Sequence, residues 1–351
     1  MKKFEENIRR VEPYVPGEQP AGSNIIKLNT NESPFAPSTM VQMAIASMTP
    51  DQLRRYPDPE ATKLVDSIAD YYDVKSNNVF VGVGSDDILG MAFLTFFNSN
   101  KPILFADVTY SFYDVWANLY NIPYKVIPLD ENFRINVEDY NEENGGIVIA
   151  NPNAPTGIEL PLVEVEEIIK NNPESLVIVD EAYIDFGRES ALPLIDKYEN
   201  LLVVRTFSKS RALAGMRVGY AFGNEKLIKA LRDVKYSYNS YTLSVAAIRA
   251  GAAAINDDEY FKQLVAEIKE TREETKMRLK KLGFEVTNSQ TNFLFVTSDK
   301  MPAKEIFEKL RDRDIYVRYF DKPRINNYLR ITIGSKDQMN ALILALEDII
   351  K

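Results

Sequence analysis

From Ala61 to Phe222 short apolar runs alternate with amphipathic stretches, and that alternation limits the folds open to the chain. A helix over Ala61–Tyr72 leads to a strand Val79–Val83 and then to a helix opening at Gly84-Ser85-Asp86-Asp87. A strand Pro102–Ala106 precedes a helix from about Phe112. Strands at Tyr124–Ile127 and Gly146–Ala150 follow, then a helix near Leu162–Lys170. Leu176–Asp180, Leu201–Thr206 and Val218–Phe222 complete the series. Apolar runs too short for helices, separated by helical patterns, read as a mostly parallel sheet covered on both faces. A long Glu- and Lys-rich helix near Asp257–Leu282 leads out of this region. Beyond it come a strand Phe293–Val296, a helix Ala303–Asp312, strands Tyr316–Tyr319 and Leu329–Ile333, and a final helix, forming a smaller α+β unit. The expected organisation is an arm over residues 1–40, a large α/β domain over 41–255 and a small domain over 256–351.

The 351 residues leave room for two cores. A net charge of −9 disfavours nucleic acid or an anionic membrane as partner. The chain has neither Cys nor His. Disulfides, thiolate or imidazole metal sites, cysteine nucleophiles and Ser-His-Asp catalysis are therefore excluded. Proton transfer falls to Lys, Tyr, Asp or Glu. The charged start, Met1-Lys2-Lys3-Phe4, lacks the apolar core of a signal peptide, and no window matches a membrane-spanning helix. A cytoplasmic protein is expected.

Ligands of open α/β sheets lie beyond the carboxyl ends of the strands. Here those ends carry Ser85 and Asp86, then Tyr110, then the turn Asn151–Gly157, then Asp180, then Lys209. Each has a plain structural use. Ser85 and Asp86 suit a helix cap, Tyr110 packing, Asn-Pro-Asn a turn, Asp180 a cap, and Lys209 a solvated surface. Together they suit pyridoxal phosphate. That cofactor needs an amine to bond its aldehyde, an anion against its ring nitrogen, and hydroxyl and cationic donors for its phosphate. Lys209, Asp180, Thr206, Ser208 and Arg217 offer these groups in suitable order.

Thr206-Phe207-Ser208-Lys209-Ser210-Arg211-Ala212-Leu213-Ala214-Gly215 resembles the lysine-attachment signature of class II pyridoxal-phosphate aminotransferases. Asn151–Gly157, Val179-Asp180-Glu181-Ala182-Tyr183 and Leu213–Tyr220 extend the likeness, as do Leu28–Pro34, Arg55–Pro59 and Tyr328–Gly334. From Pro13 to the last helix the chain is similar to the histidinol-phosphate aminotransferase family. The resemblance implies a fold type I transferase: a seven-stranded, mostly parallel sheet flanked by helices, plus the small α+β domain. It implies a homodimer with shared active sites and transamination between histidinol phosphate and 2-oxoglutarate, with glutamate as the other product, in histidine biosynthesis.

By the same resemblance, Lys209 is the cofactor-bearing lysine and α-proton base, Asp180 the ring-nitrogen partner and Tyr183 a donor to the ring O3′. Ser85, Asp86 (through its N–H), Thr206, Ser208 and Arg217 correspond to the phosphate cradle, and Tyr110 to the ring stacked on the cofactor. Tyr56 corresponds to the tyrosine reaching the neighbouring subunit's cofactor phosphate. Where the family has Asn before Pro-Thr-Gly, this chain has Ala154; either Asn153 replaces it or Tyr183 contacts O3′ alone. Arg318 and Arg330 match a substrate-anion pair, with Arg324 between them read as solvated, and Tyr14 matches an arm residue closing over the substrate. An aromatic or broad-range aminotransferase would share every cofactor residue. Threonine-phosphate decarboxylase shares the fold. A non-catalytic regulator with this fold would need a DNA-binding segment for which there is no basic stretch.

Overall fold

The computed structural model describes residues 3–22 and 24–351 and resolves the expected alternation into two main sheets. In chain order the strands are β1 (Ile26–Lys27), β2 (Val79–Gly82), β3 (Ile103–Ala106), β4 (Tyr124–Ile127), β5 (Gly146–Ala150), β6 (Val177–Asp180), β7 (Leu201–Thr206) and β8 (Gly219–Gly223). They continue with β9 (Glu285–Val286), β10 (Phe293–Thr297), β11 (Ile315–Tyr316), β12 (Arg318–Tyr319) and β13 (Leu329–Thr332).

The seven-stranded sheet runs β2-β8-β7-β6-β5-β3-β4. Only β8 opposes its neighbours; the pairings among β3 to β7 are parallel. Because successive strand residues face opposite ways, Val177 and Val179 enter one core while Ile178 enters the other. Helices Thr62–Tyr72, Leu162–Asn171 and Val245–Asn256 supply the first layer; Ser85–Phe96, Tyr113–Tyr120 and Glu225–Tyr238 supply the second. With helices on both faces, the central strands β5 to β7 are buried at every position, whereas the edge strand β4 leaves Tyr124, Lys125 and Val126 exposed.

Helix Asp258–Lys281 joins this layer to a four-stranded antiparallel sheet, β12-β13-β10-β9. Its core packs under Ala303–Arg311 and Lys336–Ile349. The single strand expected at Tyr316–Tyr319 is instead two short ones. Buried Val317 separates β11, which pairs with β1 of the arm, from β12, which pairs with β13. β1 and β11 thus form a two-stranded parallel sheet of their own, which ties the arm to the small domain across most of the chain. Helices Glu225–Tyr238 and Val245–Asn256 are not among the elements expected from the sequence. The first is strongly polar, and the second is so rich in Ala that its buried face contrasts little with the rest. Among the described residues no helix is long and apolar enough to cross a membrane.

Candidate active site

Beyond the carboxyl ends of β2 and β5 to β7 lies a cleft of about 490 Å³, bounded on its far side by arm residues from Tyr14 to Glu32. Asp180 ends β6 and enters it from below. Lys209 enters from the loop after β7; its Nζ donates to the Thr30 carbonyl at 3.2 Å and stands 5.8 Å from the centroid of the Tyr183 ring. Thr206 and Ser208, both buried, turn the chain out of β7: Ser208 N–H donates to Thr206 Oγ1 at 3.1 Å, and Thr206 Oγ1 donates to Ser208 Oγ at 2.9 Å.

Asp180 is buried, and burial pushes its carboxyl up to about 6 despite two hydrogen bonds that pull it down. Tyr113 Oη donates to its Oδ2 at 2.8 Å and Ala182 N–H to its Oδ1 at 3.2 Å. Among the described residues no ion pair reaches this carboxylate, and a protonated ring nitrogen would supply the cation it lacks. Tyr183 Oη accepts from Asn31 Nδ2 at 2.8 Å. Asn31, buried with a positive φ of 57°, is itself fixed by Thr332 and Asn292 of the small sheet.

The opposite end of the cleft is built from close backbone approach. Gly84 precedes helix Ser85–Phe96 at φ 83°, and no side chain caps that helix start. A Cβ on Gly219 would fall 2.3 Å from the Gly84 carbonyl carbon and 2.5 Å from Ser85 N. Glycine there lets β8 touch the helix N-terminus, so Arg217, just before β8, lies beside it with Nη2 3.4 Å from Asp86 Oδ2. Free N–H groups, a helix dipole and a guanidinium together make an anion cradle. These donors fit a phosphate, and with Lys209 and Asp180 they fit pyridoxal phosphate. Tyr110 closes one wall, its hydroxyl donating to Asp86 Oδ1 at 2.8 Å.

The match to the model of aminotransferase class I and II, over residues 23–346, decides the family. The chain belongs to it. This aminotransferase is 54% identical over 344 residues to histidinol-phosphate aminotransferase 1 of Hydrogenovibrio crunogenus, covering 98% of this chain and 97% of that one. It is 49% identical over 348 residues to the histidinol-phosphate aminotransferase of Lactococcus lactis subsp. cremoris, covering 99% and 98%. Among solved structures, the histidinol-phosphate aminotransferase of Sinorhizobium meliloti in complex with pyridoxal-5′-phosphate superposes with a TM-score of 0.85 at 26% identity, covering 93% and 90%. The Clostridium acetobutylicum enzyme of the same name has the same fold, with a TM-score of 0.86 at 23% identity over 93% and 99%.

Ser85, Asp86, Tyr110, Asp180, Tyr183, Thr206, Ser208, Lys209, Arg217 and Tyr14 all line the aminotransferase's cleft. Tyr14 stacks on Phe112 with ring centroids 4.1 Å apart. Arg318 and Arg330 are register partners on β12 and β13, immediately behind the arm. Arg330 Nη2 donates to the Asn29 carbonyl at 3.1 Å, while its Nε is buried with no hydrogen-bond partner among the described residues. Burial lowers the Arg330 pKa below its ordinary value, and the nearby Arg318 adds to that. A half-buried guanidinium whose Nε has no hydrogen-bond partner among the described residues suits an anion.

Three expected residues are not among those lining the cleft: Arg318 and Arg330, behind the arm, and Asn153. Ala154 does line it. The Asn153 amide donates to Val108 O and Thr156 Oγ1, both at 2.9 Å, and accepts from Thr109 at 2.7 Å, which ties the turn to the loop after β3. Tyr56 is 81% exposed and stacks on Tyr241, away from its own chain's cleft. Arg324, read as solvated, is exposed and is also a clamp between the two sheets: it pairs with Asp107 and donates to the carbonyls of Leu129 and Asp130 at 3.0 and 2.8 Å.

Sequence reasoning missed Tyr113, although it lies three residues past Tyr110. It also missed a buried ionic cluster beneath the lysine loop. There Arg205 Nε meets Glu181 Oε2 at 2.9 Å, Arg205 Nη2 donates to Ser190 Oγ at 2.6 Å, and Nη1 lies 3.9 Å from Asp185, which accepts from Ser210 next to Lys209. The Glu181 beside Asp180 in the quoted motif was the available signal.

Proposed function

We propose that this aminotransferase carries out pyridoxal 5′-phosphate-dependent transamination of L-histidinol phosphate with 2-oxoglutarate, giving imidazole acetol phosphate and glutamate in histidine biosynthesis. The observation that carries the chemistry is the convergence of Lys209, buried Asp180 and the glycine-flanked helix start at Ser85 on one cleft. Full-length identity of about half to histidinol-phosphate aminotransferases supports the substrate.

Pyridoxal phosphate supplies an electron sink for the pair left at the substrate carbon when its proton departs. Lys209 would hold the cofactor through its amine and is the group placed to take up and return the proton at the substrate carbon. Asp180 would face the ring nitrogen and favour its protonated form. Tyr183 would donate to O3′, without help from Asn153. The N–H groups of Ser85 and Asp86, the hydroxyls of Thr206 and Ser208, and Arg217 would hold the phosphate, and Tyr110 would wall the ring. Arg318 and Arg330 receive the donor's phosphate in one half-reaction and a carboxylate of glutamate in the other, since a planar fork suits both anions. Tyr14 closes over the donor and, with Gly17 and Gln19, keeps bulk water from the reacting carbon.

The arm, a large cofactor-binding domain over 41–255 and a small domain over 256–351 form each subunit of a cytoplasmic homodimer in this reading. Exposed Tyr56 reaches the partner's cofactor phosphate. Its exposure, together with that of Leu53 and Tyr238, supports a covered surface there. The deciding experiment compares histidinol phosphate, histidinol, phenylalanine and tyrosine as amino donors to 2-oxoglutarate. Histidinol phosphate should lead by a large factor in kcat/KM. Comparable values for phenylalanine would assign the protein to the general aromatic aminotransferases instead.

A further inference from the structure

We propose that Tyr113 is a positioning residue for the transamination, its phenol holding Asp180 ionised and aimed at the cofactor's ring nitrogen. The inference rests on reading the cleft as a pyridoxal-phosphate site. Tyr113 Oη donates to Asp180 Oδ2 at 2.8 Å, and both side chains are buried. The only other donor recorded to this carboxylate among the described residues is the Ala182 N–H, on Oδ1.

The remaining neighbours do not favour charge on Asp180. β5 and β7, which flank it, present Ala150 and Val204 at its register. From helix Ser85–Phe96 comes Asp86, and from its own segment Glu181; both are acidic and oppose ionisation. Tyr110, across the Tyr113 ring, gives its hydroxyl to Asp86 rather than to Asp180. Without Tyr113 a carboxylate in this setting has one backbone N–H to offset full burial.

A phenol suits this task because it does not titrate alongside the group it serves. Burial first, then the Asp180 charge, pushes the Tyr113 hydroxyl well above its ordinary value, so it remains a donor throughout the working range. A histidine would titrate near Asp180 itself, and this chain has none. The ring is located independently of its hydroxyl: it lies edge-on to Phe105 at 5.8 Å and to Tyr110 at 5.7 Å, and stacks on Phe93 at 6.3 Å. Tyr113→Phe therefore removes one oxygen from a ring that packing already fixes.

The test uses the holoenzyme of wild type and Tyr113→Phe. The acid limb of the pH profile for the glutamate half-reaction should move up by about one to two pH units, the effect of one hydrogen bond to a charged group. The KM for glutamate should change little. The variant should also lose cofactor faster than wild type on dialysis at pH 6, with the two alike at pH 9. A purely structural tyrosine would alter neither pH dependence, so an unmoved acid limb with wild-type cofactor retention overturns the proposal. If wild type takes up no pyridoxal phosphate, the reading of the cleft falls and takes the inference with it. If Tyr113→Phe does not fold, NMR of ring-labelled wild-type chain decides. In the cofactor-free protein the Tyr113 resonance should shift with a midpoint near 6 as Asp180 titrates, and an unresponsive resonance overturns the proposal.

Discussion

Arg205→Met should be among the most damaging substitutions outside the cleft, and the structure sets its size. The Arg205 and Glu181 side chains are 6% and 0% exposed, and they meet at 2.9 Å. Burial raises the Glu181 pKa, and the Arg205 charge is the largest influence opposing that rise. Deleting the cation strands a buried carboxylate that retains only Ser190 Oγ at 2.7 Å and Ala191 N–H at 2.6 Å. Breaking such a pair costs about 3–5 kcal/mol, a large part of the roughly 5–15 kcal/mol by which a domain is stable. In Arg205→Met/Glu181→Leu the fully buried carboxylate is gone; what remains is about 1 kcal/mol for each of the two donors that lose Glu181, with a smaller loss at Asp185, which is 19% exposed and 3.9 Å from Arg205. The double variant should therefore be more stable than Arg205→Met alone. Equilibrium urea unfolding at pH 7, followed by circular dichroism and Trp116 fluorescence, measures Arg205→Met, Glu181→Leu and the double variant. The penalty of Arg205→Met should shrink as pH falls, because the stranded Glu181 takes up a proton more readily than the paired one. A loss below about 1 kcal/mol, or a double variant equal to the sum of the singles, would refute the buried-pair argument.

Lys209→Ala should bind pyridoxal phosphate without retaining it after borohydride reduction and denaturation, while wild type gains the cofactor's mass on one peptide; covalent label in the variant would contradict the assignment. Asp180 titrates near 6 in the folded chain against an ordinary 3.8, so the folded state binds the extra proton between those values. Without cofactor, this group's contribution to stability is then greatest below about pH 4 and is lost as pH rises to 6, by roughly 3 kcal/mol. Asp180→Asn should abolish that slope in thermal melts of cofactor-free protein, and an unchanged slope would exclude Asp180 as its source. Arg324→Ala removes a partly buried ion pair and two hydrogen bonds to carbonyls between the sheets. It should cost about 1–3 kcal/mol and speed hydrogen exchange in the Leu129–Asp130 loop; exchange at the wild-type rate would mean that Arg324 does not clamp that loop.

What the sequence disclosed follows from how local each feature is. Asp180 and Lys209 could be located because each closes or follows an apolar run, and strand ends in a parallel sheet point to one edge. Ser85 and Gly84 were legible for the same reason. Tyr113 was not, since its value depends on a helix start turning the ring beneath a strand more than sixty positions later in the chain. Arg324 is exposed, as read, but its bonds to Asp107, Leu129 and Asp130 were not legible, because they depend on loops far away in sequence. Asn153 was expected at the cofactor by analogy with a neighbouring position, yet its amide is engaged by Val108, Thr109 and Thr156 within its own turn. Gly219 was expected only as part of the strand Val218–Phe222; its necessity comes from contact with Gly84, far away in sequence.

The pairing of β1 with β11 has a bearing on how the chain is made. Ile26 and Lys27 find their partners at Ile315 and Tyr316, and Asn31 finds Thr332. During synthesis the arm emerges first and must wait until nearly all of the chain has left the ribosome before it can dock. The β6–β7 edge that carries Asp180 and Lys209 can assemble earlier, from strands that are neighbours in both space and sequence. The cleft's floor is thus set before its roof, and the segment that meets Lys209 at Thr30 is among the last to settle.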